Sequence, residues 1–132
     1  MVAPPPRAVA AGAARVLVVD DDPHSAYLQK GLLMAAGHQV VVAADADAAL
    51  AAARAEPIAL AVVAATVADV TSLVAILEHD PETRRTAVLG VGDQSRHADL
   101  VGAGADDYLE RPIQPALHRI VVERDQPIEP RQ

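Results

Sequence analysis

The sequence predicts an α/β fold, in which one doubly wound domain alternates five parallel strands with helices on both faces of the sheet. Short runs of β-branched residues and alanine-rich helical stretches follow one another five times. The run Ile58–Ala64 is apolar throughout, as expected for a central strand covered by helices on both faces. A second apolar run, Val16–Val19, ends in three consecutive aspartates. These acids are expected at the carboxyl edge of the sheet.

The first strand is predicted over Arg15–Asp20, followed by a helix that Asp22 caps and that carries Pro23 in its first turn. Gly37 ends this helix. Three apolar residues at helical spacing are predicted to form its buried face: Leu28, Leu32 and Ala36.

The second strand is predicted over Gln39–Ala43. The second helix runs to Ala55 and begins at Asp45 or Asp47, because an acid there satisfies open amides and the helix dipole. The third helix spans Val70 to His79 and ends at Asp80-Pro81, since the residue before proline is disfavoured in helical geometry. The remaining elements are predicted as a strand over Ala87–Gly92, a short helix over 96–103, a strand over Asp107–Glu110 and a last helix over 115–124.

Composition narrows the class of protein. The 132 residues contain no cysteine, 52% are hydrophobic, and the formal net charge is -7. Only Tyr27 and Tyr108 are aromatic apart from the histidines, so neither a basic footprint nor a stacking surface for nucleic acid is present. No segment has the length of a membrane span or the order of a signal peptide, so the expected compartment is the cytoplasm. We expect a flexible Pro/Ala-rich leader over 1–14, a folded domain over 15–124 and a flexible tail over 125–132.

Three stretches resemble the receiver domain of two-component response regulators. Residues 16–23, Val-Leu-Val-Val-Asp-Asp-Asp-Pro, are similar to the family's first strand and acidic turn, and residues 103–112 to its fifth-strand signature. Residues 80–84, Asp-Pro-Glu-Thr-Arg, resemble a common turn after the third helix. The resemblance covers about residues 15–124 and implies a CheY-like, flavodoxin-like (βα)5 sandwich with strand order 2-1-3-4-5.

The resemblance implies Mg²⁺-dependent transfer of a phosphoryl group from a histidine kinase to an aspartate at the end of the third strand. Counting from neighbouring motifs places that acceptor at Val62 or Val63. A valine has no nucleophilic or metal-binding atom, so the usual phospho-aspartate cannot form at either position. Two other positions also lack the residue that the family has there. Gly92 stands where a hydroxyl residue is expected, and Arg111 stands where a lysine is expected.

Asp20 and Asp21 remain as an acidic pocket. Two interpretations of this pocket are equally supported: a weak Mg²⁺ site, or an acidic turn that binds no ligand. Two adjacent carboxylates repel each other when ionised, and our hypothesis is that Arg111 closes the pocket as an internal cation. Asp22 is predicted to be a helix cap only. Asp69 is predicted to cap the third helix, with an unorthodox acceptor or metal ligand as the alternative.

Tyr108 and Glu110 mark a candidate interaction face formed by the fourth helix, fifth strand and fifth helix, although a buried structural tyrosine is nearly as well supported. The partners would be proteins, such as a histidine kinase or another signalling protein, and a homodimer could use the same face. Neither nucleic acid nor membrane is expected as a partner. In the family the bond before the proline after strand five is cis, and we expect this of Arg111-Pro112.

Other site chemistry has little support. Gly90-Val91-Gly92 lacks the third glycine of a dinucleotide loop, and no Ser, His and Asp order resembles a nucleophile elbow. The five histidines, at 24, 38, 79, 97 and 118, show no ligand spacing and are expected on the surface.

The sequence thus predicts a degenerate receiver, or pseudo-receiver, that acts as a phosphorylation-independent signalling and protein-interaction module and not as an enzyme. No cofactor is expected beyond weak Mg²⁺. One alternative is a receiver phosphorylated at Asp69, Asp20 or Asp21. Another is a flavodoxin-like small-molecule binder with a crevice lined by Val63, Gly92 and Arg111.

Overall fold

A computed structural model describes residues 14–110 of the chain. Five parallel strands form one sheet in the order β2-β1-β3-β4-β5, which confirms the predicted architecture and strand order. The strands are β1 (Arg15–Val19), β2 (Gln39–Ala43), β3 (Leu60–Ala64), β4 (Ala87–Gly92) and β5 (Asp107–Glu110). The helices are α1 (Pro23–Ala35), α2 (Ala46–Ala55), α3 (Val70–His79) and α4 (His97–Ala103), with a 3-10 turn over Gln94–Arg96 before α4. The expected tail, fifth helix and cis Arg111-Pro112 bond lie outside the described residues, as does the expected leader except for its last residue, Ala14, which is buried.

The core has two layers because side chains alternate across the sheet. Val16, Val18 and Val62 pack with Leu33 of α1 on one face. Leu17, Val19 and Val63 pack with α2, α3 and α4 on the other. All five residues of β3 are buried, as the unbroken apolar run predicts. Each buried Val or Leu contributes about 1.5–3 kcal/mol relative to exposure, so this strand anchors both layers.

The apolar face of α1 differs from the prediction. Leu28 is 39% exposed, and the buried residues of the helix are Ala26, Gln29 and Leu33. A polar residue, Gln29, therefore occupies the buried stripe. The helix does begin at the Asp22 cap, whose side chain accepts from the backbone N–H of His24, and it ends before Gly37, whose φ of 97° favours glycine.

His38 corrects the expectation that the histidines lie on the surface. It is 7% exposed, and its Nδ1 accepts a hydrogen bond from the backbone N–H of Ala14 at 3.1 Å. The imidazole therefore joins the turn after α1 to the residue preceding β1. His118 lies outside the described residues.

The turn after α3 is fixed by Asp80, as the Asp-Pro pattern predicts. Its carboxylate accepts from the backbone N–H of Glu82 and from the Arg54 guanidinium at the end of α2. The Glu82 hydrogen bond and then the Arg54 contact hold the pKa of Asp80 below its ordinary value of 3.8.

The lowered pKa of Asp80 predicts a pH-dependent contribution to stability. A carboxyl group with a depressed folded-state pKa stabilises the fold above its unfolded pKa, and that stabilisation is lost as the pH falls through the folded value. We expect Asp80→Asn to lower the unfolding midpoint at neutral pH. The gap to wild type should close below about pH 4. Thermal unfolding of both proteins across the acid range measures this, and a gap that does not change with pH would contradict it.

Candidate functional site

The carboxyl edge of the sheet brings together the acidic turn after β1, the loop after β3 and the turn after β4. In the β1–β3 pairing, Val18 is opposite Val62 and Val19 is opposite Val63. Extending that register by one residue sets Asp20 beside Ala64. Val62, Val63 and Ala64 are all buried and aliphatic. The assignment of the acceptor position to Val62 or Val63 stays a prediction, and Ala64 is a third candidate from the register. None of the three carries a nucleophile.

Asp20 is 2% exposed, and donors without charge surround its carboxylate. Oδ1 accepts from the backbone N–H of Asp22 at 2.9 Å. Oδ2 accepts from the Ser25 hydroxyl at 2.7 Å and from Nε2 of Gln29 at 2.8 Å. Ser25 and Gln29 are four residues apart on α1 and so lie on one helix face. The carboxylate is thereby held by α1.

Asp21 is directed elsewhere. It is exposed, and its Oδ1 accepts from the Thr66 hydroxyl at 2.7 Å. This bond joins the turn after β1 to the loop after β3. The two adjacent acids thus have separate partners, and within residues 14–110 neither forms an ion pair. The predicted contact with Arg111 lies outside the described residues.

Arg96, from the turn after β4, provides a cation near the tip of β3. Its Nη1 donates to the carbonyl of Ala65 at 3.1 Å, and its Nε donates to Asp99 at 3.1 Å. The Arg96 guanidinium therefore bridges the β4 turn and the backbone directly after β3. It fastens the same loop that Thr66 joins to Asp21.

The residues at this edge do not fit the weak Mg²⁺ site, which is one of the two alternatives left open for Asp20 and Asp21. Mg²⁺ requires several oxygen ligands in near-octahedral geometry. Both oxygens of Asp20 already accept hydrogen bonds, Asp21 turns toward Thr66, and the tip of β3 supplies an alanine. Across the described part of the chain, no group of three or more His, Cys, Asp or Glu side chains is arranged to hold a metal ion.

Asp69 stands at the N-cap position of α3, as predicted, but its side chain makes no capping hydrogen bond. Its φ of 60° places it in the left-handed region, which aspartate tolerates better than most residues. In this conformation the carboxylate does not accept from the first-turn amides. Asp69 is exposed and lies beyond the strand edge where Asp20 is buried.

Tyr108 is buried rather than presented on a surface, so the structural alternative applies to this residue. The ring is 5% exposed, its hydroxyl donates to the Asp93 carbonyl, and it lies against the His97 ring at a centroid distance of 5.0 Å. Glu110 is exposed, as are Val101 and Asp107 on the same edge. The predicted interaction face would therefore use these residues and not the tyrosine ring.

Gly90 and Gly92 make room for the Tyr108 ring. A Cβ on Gly90 would lie 2.8 Å from Cδ1 of Tyr108, and one on Gly92 would lie 2.7 Å from its hydroxyl oxygen and 2.8 Å from the Cβ of Ala65. Such distances are below normal van der Waals contact. The volume above Gly92, which the small-molecule alternative needs as an open crevice, is therefore filled by Tyr108 and Ala65.

Sequence reasoning missed Ser25, Gln29, Thr66 and Arg96. A signal for the first two was present, because positions 25, 29 and 33 repeat at helical spacing and end in the buried Leu33. Thr66 and Arg96 lie in turns, where spacing alone does not predict a partner.

Comparison with known proteins supports the fold. No protein-family model matches the sequence, and no curated protein sequence matches it. Among solved structures, the chain is similar to the chemotaxis response regulator CheY4 of Vibrio cholerae, with a TM-score of 0.76 and 22% identity over 86% of this chain and 99% of that one. It is also similar to the receiver domain of a sensor histidine kinase from Pseudomonas aeruginosa, which has a magnesium ion in its active-site cleft. That match has a TM-score of 0.76 and 21% identity, and it covers 85% of this chain and 96% of that one.

NtrX from Brucella abortus is a third similar structure, with a TM-score of 0.72 and 27% identity. The match covers 86% of this chain and 27% of NtrX. Together these neighbours show that the described chain has the CheY-like receiver fold. None of the helices within residues 14–110 is long and apolar enough to cross a membrane.

Proposed function

We propose that this chain is a degenerate receiver of two-component signalling that works as a phosphorylation-independent protein-interaction module. The observation that carries the proposal is the aliphatic tip of β3, Val62–Ala64, where the receiver fold would need a carboxylate. Phosphoryl transfer to a side chain requires a nucleophilic atom, and these side chains have none.

The hydrogen bonds of the carboxyl edge support a single resting conformation. Two hydrogen bonds connect the loop after β3 with the turns on either side of it. Asp21 accepts from the Thr66 hydroxyl, and Arg96 donates to the Ala65 carbonyl. In this proposal those bonds take the place of a metal ion and a phosphoryl group as the contacts that order the loops. Each is worth about 0.5–1.5 kcal/mol, so the conformation needs no covalent modification.

The buried tyrosine supports the same conclusion. With glycine at position 92, no side chain competes with Tyr108 for the inward position, and its hydroxyl is satisfied by Asp93. We infer that the α4–β5 edge has one state, and that partner binding, abundance or localisation, rather than phosphorylation, regulates the module.

The proposed partners are proteins, among them a histidine kinase or another signalling protein. The contact surface would be the face of α4, β5 and the following helix, and a second copy of the chain could use it as well. Its exposed described residues include Val101, Asp107 and Glu110. Non-obligate interfaces are about as polar as the rest of a protein surface, so one exposed valine with two charged neighbours is compatible with such a contact.

The experiment is incubation of the full chain with acetyl phosphate and Mg²⁺, followed by intact mass measurement. We expect no added phosphoryl group, while a receiver that has its acceptor aspartate gains one under the same conditions. A phosphorylated species would contradict the proposal. Asp69→Asn and Asp21→Asn, assayed in parallel, would then show whether one of these two exposed carboxylates had reacted, and a phosphoryl group retained by both variants would point to Asp20.

A further inference from the structure

A cavity of about 480 Å³ lies at the opposite end of the sheet from Asp20. The start of β1, the α2–β3 connection and the α3–β4 connection form its walls. Its volume falls within the range of about 300–1,000 Å³ usual for small-molecule sites. None of the acceptor, switch or acidic-pocket positions discussed above lines it, whereas Pro81 and Glu82 of the turn after α3 do.

The walls of this basal cavity are joined by hydrogen bonds. The Thr86 hydroxyl donates to the carbonyl of Ile58 at 2.8 Å, and the backbone N–H of Ala59 donates to the carbonyl of Arg15 at 2.9 Å. These bonds join all three wall segments. The cavity is therefore preformed, and a ligand would pay little ordering entropy on entering it.

Arginine dominates the charged part of the lining. Arg15, Arg54 and Arg85 line the cavity together with two carboxylates, Glu56 and Glu82. A third carboxylate, Asp80, pairs with Arg54, so the three arginines are balanced by three acids in a chain of net charge -7. The acidic turn around Asp20 lies at the other end of the strands. An anion would therefore be repelled less at the basal cavity than at the acidic turn.

The guanidinium groups can exchange their present partners for a ligand. Arg15 pairs with Glu56 at 2.8 Å and Arg54 pairs with Asp80 at 2.7 Å, and both arginines are more than a third exposed. Exposed ion pairs of this kind contribute only about 0–1 kcal/mol. Within residues 14–110, Arg85 has no ion pair or side-chain hydrogen bond.

The chemistry of the remaining lining indicates the ligand class. Ala53, Pro57, Ile58 and Pro81 provide an apolar floor beside the three guanidinium groups. Planar guanidinium groups bind phosphate oxygens through two parallel hydrogen bonds, and a diphosphate has enough charge to engage more than one arginine. We propose that the basal cavity binds a small organic phosphate, with its phosphate groups on the arginines and its organic body on the apolar floor.

Adjacent arginines provide a matched test. Arg85 lines the cavity and Arg84 does not, although both are exposed in the same turn. The probes are inorganic pyrophosphate and ADP, titrated without metal into the ¹⁵N-labelled full chain at low salt. We expect saturable amide shifts over residues 53–59 and 81–86. Arg85→Gln should weaken binding by about tenfold or more, as expected for loss of one charge-assisted contact. Arg84→Gln should weaken binding clearly less than Arg85→Gln, because the Arg84 side chain does not line the cavity and makes no charge-assisted contact there.

Three results would overturn the proposal: no saturable binding of either probe, equal weakening by Arg84→Gln and Arg85→Gln, or shifts confined to the Asp20 edge. Equal weakening would mean attraction by overall charge without a site. ADP should bind more tightly than pyrophosphate because only ADP has an organic group that can contact the apolar floor. The reverse order of affinity would contradict the proposal that the floor binds the organic part of the ligand.

Discussion

Asp20→Ala should lower the free energy of unfolding by about 2–4 kcal/mol, because a buried donor left without an acceptor costs about 1–3 kcal/mol. Three donors lose the Asp20 carboxylate in this variant, namely the Ser25 hydroxyl, Nε2 of Gln29 and the backbone N–H of Asp22. Nε2 of Gln29 keeps longer contacts with the carbonyl and hydroxyl oxygens of Ser25, at 3.3 and 3.1 Å. Removing a buried charge returns part of that cost, so the estimate is below the sum of three separate penalties. Urea unfolding, with the midpoint and slope fitted together, measures the change.

Asp21→Ala is the matched control for this prediction. It removes a carboxylate from the neighbouring position, but Asp21 is exposed, and its only hydrogen bond to a side chain of residues 14–110 is with the Thr66 hydroxyl. Its cost should stay within about 0.5–1 kcal/mol. If Asp20→Ala instead stabilised the protein, the carboxylate would be an electrostatic burden, as in a pocket built for a cation, and the hydrogen bonds of Ser25 and Gln29 would not be what holds it.

A double-mutant cycle measures how much the hydrogen bond from α1 to Asp20 contributes to stability. Gln29→Leu removes the amide that donates to Asp20 and leaves an apolar side chain of similar size on the buried stripe. In the Asp20→Ala background this substitution should be tolerated better than in wild type. Contacting residues of this kind show coupling energies of about 0.5–3 kcal/mol. Strictly additive effects would contradict direct pairing of the two side chains.

The sequence predicted the strands well because their signal is simple. β2, β4 and β5 have the predicted bounds, and α3 runs over the predicted Val70–His79, since β-branched runs and the Asp80-Pro81 stop act locally. β3 begins at Leu60 rather than Ile58, because the Ile58 carbonyl accepts from the Thr86 side chain instead of continuing the sheet.

The site was harder to predict than the fold because its contacts are between distant residues or break an apolar pattern. The apolar pattern predicts Leu28 on the buried face of α1. Gln29 is buried there instead, and its amide donates a hydrogen bond to the buried Asp20 carboxylate. Tyr108 could have been placed on either side of β5. The ring is buried because two glycines on β4 have no side chains to occupy its place. The register between β4 and β5 brings those glycines beside Tyr108, and the sequence alone does not give that register. The absence of a carboxylate on β3, in contrast, is evident from the sequence alone.

Gly92→Ala should destabilise the fold by about 1–3 kcal/mol, the usual cost of overpacking a filled interior. The new Cβ would lie 2.7 Å from the Tyr108 hydroxyl oxygen and 2.8 Å from the Cβ of Ala65, so the ring or the β3 loop must move. We expect the tyrosine to be displaced, with loss of its bond to Asp93 and of its contact with His97. Urea unfolding gives the energy, and the Tyr108 and His97 side-chain NMR signals report the displacement.

Two further variants distinguish displacement of Tyr108 from a general effect of adding a methyl group. Gly31→Ala and Gly102→Ala place the same group on helices where no atom of residues 14–110 outside the helix itself lies within 4 Å of it, so they should stabilise the protein by up to about 1 kcal/mol. In a Tyr108→Phe background, where the hydroxyl is gone, Gly92→Ala should cost less than in wild type. If its cost is unchanged there, the clash is with Ala65 alone. The inward tyrosine would then not depend on glycine at position 92, and the proposal of a single state at the α4–β5 edge would lose its main structural support.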